Sequence, residues 1–309
     1  MRRYRVAVIG LWLLCSGLQA VAVGNPLSVN EIAPGVFVHN GKQEEMSAKN
    51  LGDIANNGFV VGQKCVAVID TGGSLNVGEA LLSAVKLAIK LPICYVINTH
   101  GHPDHIFGNA AFKADKPRFI GHAKLPAAEA ARGNNYVRTL RLDIGAAAAG
   151  SEIIPPDSTV SDTLDLDLGG RILKVRAWRT AHTDNDLTVY DEQSGTLFLG
   201  DLLFVERIPV VDGSIRGWLA IMPELRGIKA RHIVPGHGKV DASWPEALMP
   251  EESYLKLLAK EVRLALKDRL TLQQAVDTVG LSERGKWLLF DDYHRRNVTA
   301  AYAELEWED

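Results

Sequence analysis

The chain has 309 residues, of which 47% are apolar and 23% charged, with a formal net charge of −3. Such a composition excludes a disordered or low-complexity chain and supplies enough apolar residues for a core of two or more layers. The slight negative balance gives no reason to expect nucleic acid or an anionic membrane surface as a partner.

At the N-terminus, Arg2, Arg3 and Arg5 precede an apolar stretch from Val6 to Leu18 and the small-x-small triplet Ala20-Val21-Ala22. This pattern predicts a cleaved export signal over residues 1–22 and a mature periplasmic or secreted chain beginning at Val23, with no membrane attachment afterwards. The stretch is shorter than the roughly 20 residues a membrane-spanning helix needs, and an uncleaved anchor is the alternative reading. Bulky Leu14 before Cys15 argues against lipid attachment, while the Arg2-Arg3 pair leaves a twin-arginine route open.

Strands are predicted at Val36 to Val38, Gly58 to Val61 and Val66 to Ile69, the last ended by Asp70-Thr71-Gly72-Gly73. Helical spacing of Val77, Leu81, Leu82 and Val85 predicts a helix from Asn76 to Lys90. The apolar run Ile93 to Ile97 then completes a strand–helix–strand crossover. Cys65 and Cys94 head two of these runs, on neighbouring parallel strands. Export would permit a bridge between them, but cross-strand geometry is often poor for one, so two buried thiols are expected. A strand at Arg118 to Gly121 and an Ala-rich helix from Ala123 to Arg132 follow. The turn-rich stretch Gly150 to Asp162 is read as the seam between two halves.

The second half carries predicted strands at Thr163 to Leu168, Arg171 to Trp178, Leu187 to Tyr190 and Thr196 to Leu199. A helix follows from Ser214 to Leu225, with Ser214 as N-cap, and then the strand Ile233-Val234. Helical patterns occupy Ser253 to Leu270, Leu272 to Val279 and Val298 to Leu305. Two strand-rich halves, each followed by helices, predict an α/β architecture of two packed sheets with helices outside. The main domain is assigned to residues 23–242, with a C-terminal helical extension over 243–309 packed on it.

The most informative segment is Thr99-His100-Gly101-His102-Pro103-Asp104-His105, which follows the strand at Ile93 to Ile97. Imidazole and carboxylate neither fill a core nor pack against one, but they are the ligand types that divalent metals prefer. Alternation puts His100 and His102 on one side of an extended segment. Asp104 and His105 lie beyond the turn at Pro103, placed to face a second ion. His182 in Thr180-Ala181-His182-Thr183-Asp184, Asp201 after Gly200, and His237 in Pro235-Gly236-His237-Gly238 also follow strand ends. Recurrence of that position lets all these groups converge, with Gly200 permitting a sharp turn. His39 and His294 are read as surface residues, and His232 and His122 as structural. Arg207 is assigned an ordinary salt bridge, with an anionic substrate as the alternative.

In this order, His100-x-His102-x-Asp104-His105, His182, Gly200-Asp201 and Pro235-Gly236-His237-Gly238 resemble the metallo-β-lactamase superfamily. The resemblance implies a four-layer αββα sandwich and a site for two metal ions, usually Zn2+. His100, His102 and His182 would hold the first zinc, Asp104, His105 and His237 the second, and Asp201 would bridge them. Three further stretches resemble one subgroup, the exported quinoprotein relay system zinc metallohydrolases. They are Asn50-x-Gly52-Asp53-Ile54-Ala55-Asn56, Gly200 to Arg207, and Trp287 to Val298. That kinship implies association with a periplasmic quinoprotein dehydrogenase and names no substrate.

The expected activity is hydrolysis of an ester, thioester or amide carbonyl of a small-molecule substrate by water activated between two zinc ions, with Asp104 orienting the nucleophile and relaying a proton. β-Lactam hydrolysis is not favoured. Some family members place a substrate-binding Lys shortly after the bridging ligand, where this chain has Leu202-Leu203-Phe204. Two alternatives from other classes are a mononuclear iron oxidoreductase of the persulfide dioxygenase type and a metal-bearing accessory protein. The complete second-metal set argues against the former.

Overall fold

Period-two alternation along short apolar strands gives each strand two faces, and the packing of those faces decides the architecture. The structure, a computed structural model, describes residues 25–308, so the predicted export signal lies outside the described residues. β1 (Asn30–Ala33), β2 (Val36–His39), β3 (Asn57–Val61), β4 (Val66–Ile69), β5 (Ile93–Ile97), β6 (Arg118–His122) and β7 (Ser158–Val160) form one sheet in chain order. β1 to β4 pair antiparallel, and β4 to β7 pair parallel. β8 (Thr163–Asp167), β9 (Ile172–Ala177), β10 (Leu187–Asp191), β11 (Thr196–Phe204) and β12 (His232–His237) form the second sheet, in the order β12-β11-β10-β9-β8.

Val60, Ala67, Ile69, Ile97 and Ile120 of the first sheet meet Leu173, Val175, Leu187, Val189 and Val234 of the second. The alternate residues Val66, Val68 and Val96 face outward onto Leu81 and Val85 of α1 (Leu75–Ala88). Beyond the second sheet, Leu197, Leu199 and Ile233 pack on α4 (Ile215–Gly227). α5 (Leu248–Lys267), α6 (Leu272–Thr278) and α7 (Phe290–Leu305) belong to the same cluster. The layers therefore run helix, sheet, sheet, helix, with a helical C-terminal segment against the second sheet's side. Ser214 caps α4 as expected, accepting from the Gly217 N–H.

Three expectations are corrected and one is narrowed. The seam expected over Gly150 to Asp162 contracts to the two-residue link 161–162 at the end of that stretch, because β7 lies inside it and closes the first sheet beside β6. The helix from Leu125 does not stop at Arg132, and α3 runs to Ile144. Gly133-Asn134-Asn135 have weak helix propensity, but at Gly133 a Cβ would meet the Ile153 side chain, so the bare backbone admits that contact. Cys65 and Cys94 are disulfide-bonded, with their Cα atoms 5.7 Å apart. The β4–β5 register slips after Val66, leaving Cys94 without a partner in the ladder and able to turn toward Cys65. Finally, His39 and His294 are buried rather than on the surface. His39 donates to Ser28 O (2.8 Å) and pairs with Asp53 (2.6 Å), whereas His294 stacks on Phe290 and donates to Val279 O (2.8 Å).

Candidate metal centre

All seven predicted side chains converge at one end of the sandwich, between the sheets. His100 and His102 leave the end of β5, and Asp104 and His105 lie on the short helix α2 (Pro103–Ile106). His182 sits between β9 and β10, Asp201 within β11, and His237 ends β12. Gly200 does not end β11. At φ +52° it bulges the strand, the register with β12 shifts on both sides of it, and Asp201 turns inward. Gly236 is constrained from the other side, since a Cβ there would collide with Asp201 Oδ1.

The donor atoms form two clusters, His100–His102–His182–Asp201 and Asp104–His105–His237. Asp201 stands between them. Its Oδ2 lies 3.7 Å from His100 Nε2, 3.4 Å from His182 Nε2 and 3.4 Å from His237 Nε2, and its Oδ1 lies 3.2 Å from His105 Nε2. Asp104 Oδ2 is 3.2 Å from His237 Nε2 and 3.7 Å from His105 Nε2. Donors held about 2.1 Å from one ion at tetrahedral angles lie about 3.4 Å apart, so these separations fit.

Each imidazole is fixed from behind by its other nitrogen. His102 Nε2 donates to Asp212 (2.9 Å), His105 Nδ1 to Asp70 (2.8 Å), His182 Nδ1 to Val210 O (2.7 Å) and His237 Nδ1 to Ile54 O (2.8 Å). Thr99 Oγ1 donates to Asp70, which leaves it able to accept from His100 Nδ1 at 3.1 Å. With every outer nitrogen committed as donor, the inner nitrogen of each neutral ring presents a lone pair. His182 Nε2 and His102 Nδ1 therefore face each other at 3.0 Å without a proton to share. His100 Nε2, His105 Nε2 and Asp201 Oδ1 are buried without hydrogen-bond partners. Converging lone pairs and carboxylates repel one another unless a cation lies among them, so the residues present fit a divalent metal.

The electrostatics separate the rings of the two clusters, with His100 and His182 lowered and His105 and His237 raised. Burial, reinforced by His105, pushes His100 well below the ordinary histidine range. Burial likewise takes His182 down to about 3, against the opposing pull of Asp201. Both rings are therefore neutral donors. Burial would raise Asp201, but His237, His105 and His100 outweigh it and hold the carboxyl well below its usual range. Burial would also lower His105, yet Asp201, Asp70 and Asp104 together raise it well above normal. A cation would displace that proton.

Sequence reasoning missed the outer layer. Asp70, read only as a turn residue, accepts from His105, Thr99 N–H (2.8 Å) and Thr99 Oγ1 (2.7 Å). Its place at a strand end, like the ligands, was the available signal. Asp212 is bound by His102, Arg132 of α3 and Arg296 of α7. The site opens into a cavity of about 500 Å³ whose wall includes Met46, Tyr136, Leu140, Phe204, Arg207 and Tyr293. The C-terminal segment fastens the loop that forms this wall. Asn297 accepts from Val211 N–H (2.9 Å) and donates to Pro209 O (2.7 Å), while Glu304 accepts from Ile215 N–H (2.7 Å). His122 accepts from Lys124 N–H (3.0 Å) and His232 pairs with Asp241 (3.0 Å), both apart from the clusters.

A two-sheet αββα layering with two adjoining His/Asp clusters at the strand ends defines a class of metal-site folds. The family model of the metallo-β-lactamase superfamily matches residues 51–237, more than half of the chain, and the chain belongs to that superfamily. It is 24% identical over 209 residues to a linear primary-alkylsulfatase from a Pseudomonas species. The match takes in 56% of this chain but only 39% of that relative, so the chain spans about two-fifths of its length. Among solved structures, a metallo-β-lactamase from Pontibacter korlensis shares the fold with a TM-score of 0.59 at 21% identity. That likeness covers 74% of this chain and 99% of the other. A metallo-β-lactamase from Erythrobacter litoralis gives 0.57 at 16% identity, covering 74% and 95%.

Proposed function

We propose that the chain is an exported hydrolase that holds two divalent ions, Zn2+ in the first instance, and cleaves an ester, thioester or amide. The observation that carries this reading is the convergence of inward-facing lone pairs on two adjoining points, with Asp201 between them. Divalent ions held by His100, His102, His182, Asp104, His105, His237 and the intervening Asp201 would supply Lewis acidity and lower the pKa of a bound water toward about 7.

The protein's own groups supply orientation and proton transfer. Burial would raise Asp104, but His105 and His237 outweigh it and keep the carboxylate ionised. It can therefore orient a water and pass its proton to the leaving group. Phe204, stacked on His237 with centroids 5.1 Å apart, gives the cavity an apolar wall that limits solvent. Single-iron oxygen chemistry would leave Asp104, His105 and His237 without a role. A sulfate ester is the second reading, and its support is the alkylsulfatase relative. Periplasmic location and a quinoprotein dehydrogenase partner complete the proposal. They rest on the leader pattern and on the stretches around Asn50, Gly200 and Trp287.

The test is metal analysis of the purified protein together with turnover of an ester, thioester, amide and sulfate-ester panel. Near two zinc per chain and hydrolysis lost in Asp104→Asn are expected. One iron per chain without hydrolysis would overturn the assignment.

A further inference from the structure

Glu251, in the first turn of α5, has no solvent exposure and shares its helix face with Leu248, Leu255 and Leu258 of the apolar cluster. A carboxyl placed there is costly unless its oxygens are hydrogen-bonded. Oε1 accepts from the Phe204 N–H at 3.0 Å, while Oε2 is buried without any partner among the described residues. Burial, opposed by the Phe204 N–H and aided by the Asp201 charge, holds the carboxyl well above its usual range, so the side chain is neutral. Its one bond reaches β11 where the ladder is irregular, because the register with β12 slips between Gly200 and Phe204. Phe204 in turn meets both donor clusters. Its ring stacks on His237 with centroids 5.1 Å apart and planes 16° from parallel, and it lies 5.6 Å from His182. Each of those imidazoles is held at its rear by a single backbone carbonyl, Ile54 O for His237 and Val210 O for His182. A hydrogen bond at one edge leaves a ring free to tilt about it, so packing against the ring face sets the remaining angle.

We propose that Glu251 is a positioning residue for the metal centre, anchoring the end of β11 through the Phe204 N–H and so holding the Phe204 ring against His182 and His237. The inference rests on the two clusters being metal sites and is independent of the substrate hydrolysed. Glu251 lies beyond residues 51–237, so this support comes from the C-terminal helical segment rather than from the matched region. Glu251 acts by geometry alone, and no proton or bond changes hands.

The experiment compares E251Q, E251L, F204A and the double variant E251L/F204A in the full chain. Zinc and cobalt affinities are read by competition with a chromophoric chelator, alongside the visible spectrum of the cobalt-loaded protein. E251Q keeps the acceptor and should match wild type. E251L and F204A should each weaken both ions by about tenfold and shift the cobalt bands. The double variant should bind no more weakly than F204A alone, because Glu251 acts through that ring. Additive losses, or an E251L protein with wild-type affinities and cobalt spectrum, would overturn the proposal. If E251L does not fold, F204A and E251Q carry the test. F204A with wild-type affinity for both ions, or E251Q as impaired as F204A, would overturn it equally. The expected metal pattern without turnover of any ester, thioester, amide or sulfate ester would sink the hydrolase reading and leave the positioning role standing. Turnover, with E251L indistinguishable from wild type in its cobalt spectrum, would do the reverse.

Discussion

Removing the Asp212 carboxylate tests how the imidazoles are held. Asp212 Oδ2 accepts from His102 Nε2 at 2.9 Å, and the same carboxylate takes Arg132 and, at 3.2 Å, Arg296. In Asp212→Ala the two guanidiniums, about half exposed, recover water as a partner. The His102 ring recovers nothing that turns Nδ1 toward His182. Loss of such an outer hydrogen bond weakens metal binding by about 10- to 100-fold, or about 1.4 to 2.8 kcal/mol at 1.4 kcal/mol per decade. The effect should fall on the first cluster only, because no donor of Asp104–His105–His237 touches Asp212. Asp70→Asn is the mirror variant, acting through His105 on the second cluster. The assay equilibrates each protein with graded dipicolinate and counts zinc per chain by mass spectrometry. Cobalt-substituted spectra then identify the emptied cluster. D212A should surrender one ion at about 10- to 100-fold lower chelator than wild type while the other ion stays. Retention of both ions at wild-type chelator concentrations would refute the argument that Asp212 sets the ring's direction.

Two further outcomes follow from groups away from the donor clusters. The Cys65–Cys94 bridge closes a 29-residue separation, and loop-closure entropy assigns it about 3 to 4 kcal/mol. The double variant Cys65→Ser/Cys94→Ser should lose about 2 to 4 kcal/mol in urea unfolding, and equal stability would indicate free thiols. Glu129 of α3 is buried with both carboxylate oxygens unpartnered, and burial lifts its pKa to about 7. The unfolded chain releases this proton near pH 4.5 whereas the folded chain keeps it, so the contribution of Glu129 to stability falls as pH rises from about 4.5 to about 7. Glu129→Gln should therefore match wild type near pH 4.5 and exceed it by about 1 to 3 kcal/mol at pH 8. Equal urea midpoints at both pH values would remove the carboxyl as the cause.

The inner donors were legible because metal ligation demands residue types that ordinary packing does not. His100 to His105, His182, Asp201 and His237 stand out because each follows an apolar run that reads as a strand. Their partners were not legible, because an acid such as Asp70 or Asp212 is equally at home in a solvated turn. Only the third dimension shows that His105 and His102 donate to them. The same reasoning explains His39 and His294, whose polar sequence neighbours conceal burial against distant segments. Strand periodicity located both sheets, but the predicted strand stopped just before Gly200 and the predicted helix just before Gly133. In the structure one bulges a strand that continues and the other admits Ile153 beside a helix that continues. In both places a tertiary contact overrode local propensity.

The bonds from Asn297 and Glu304 into residues 209–215 have a mechanical consequence. Val210 lies inside that stretch and its carbonyl fixes the His182 ring, so the last helix acts as a tether reaching the first donor cluster through two intermediaries. Fraying at the C-terminus would not stay local. It would slacken the His182 ring more than a hundred positions earlier, which makes the terminal helix and the end of the sandwich that carries the two donor clusters one cooperative unit in unfolding.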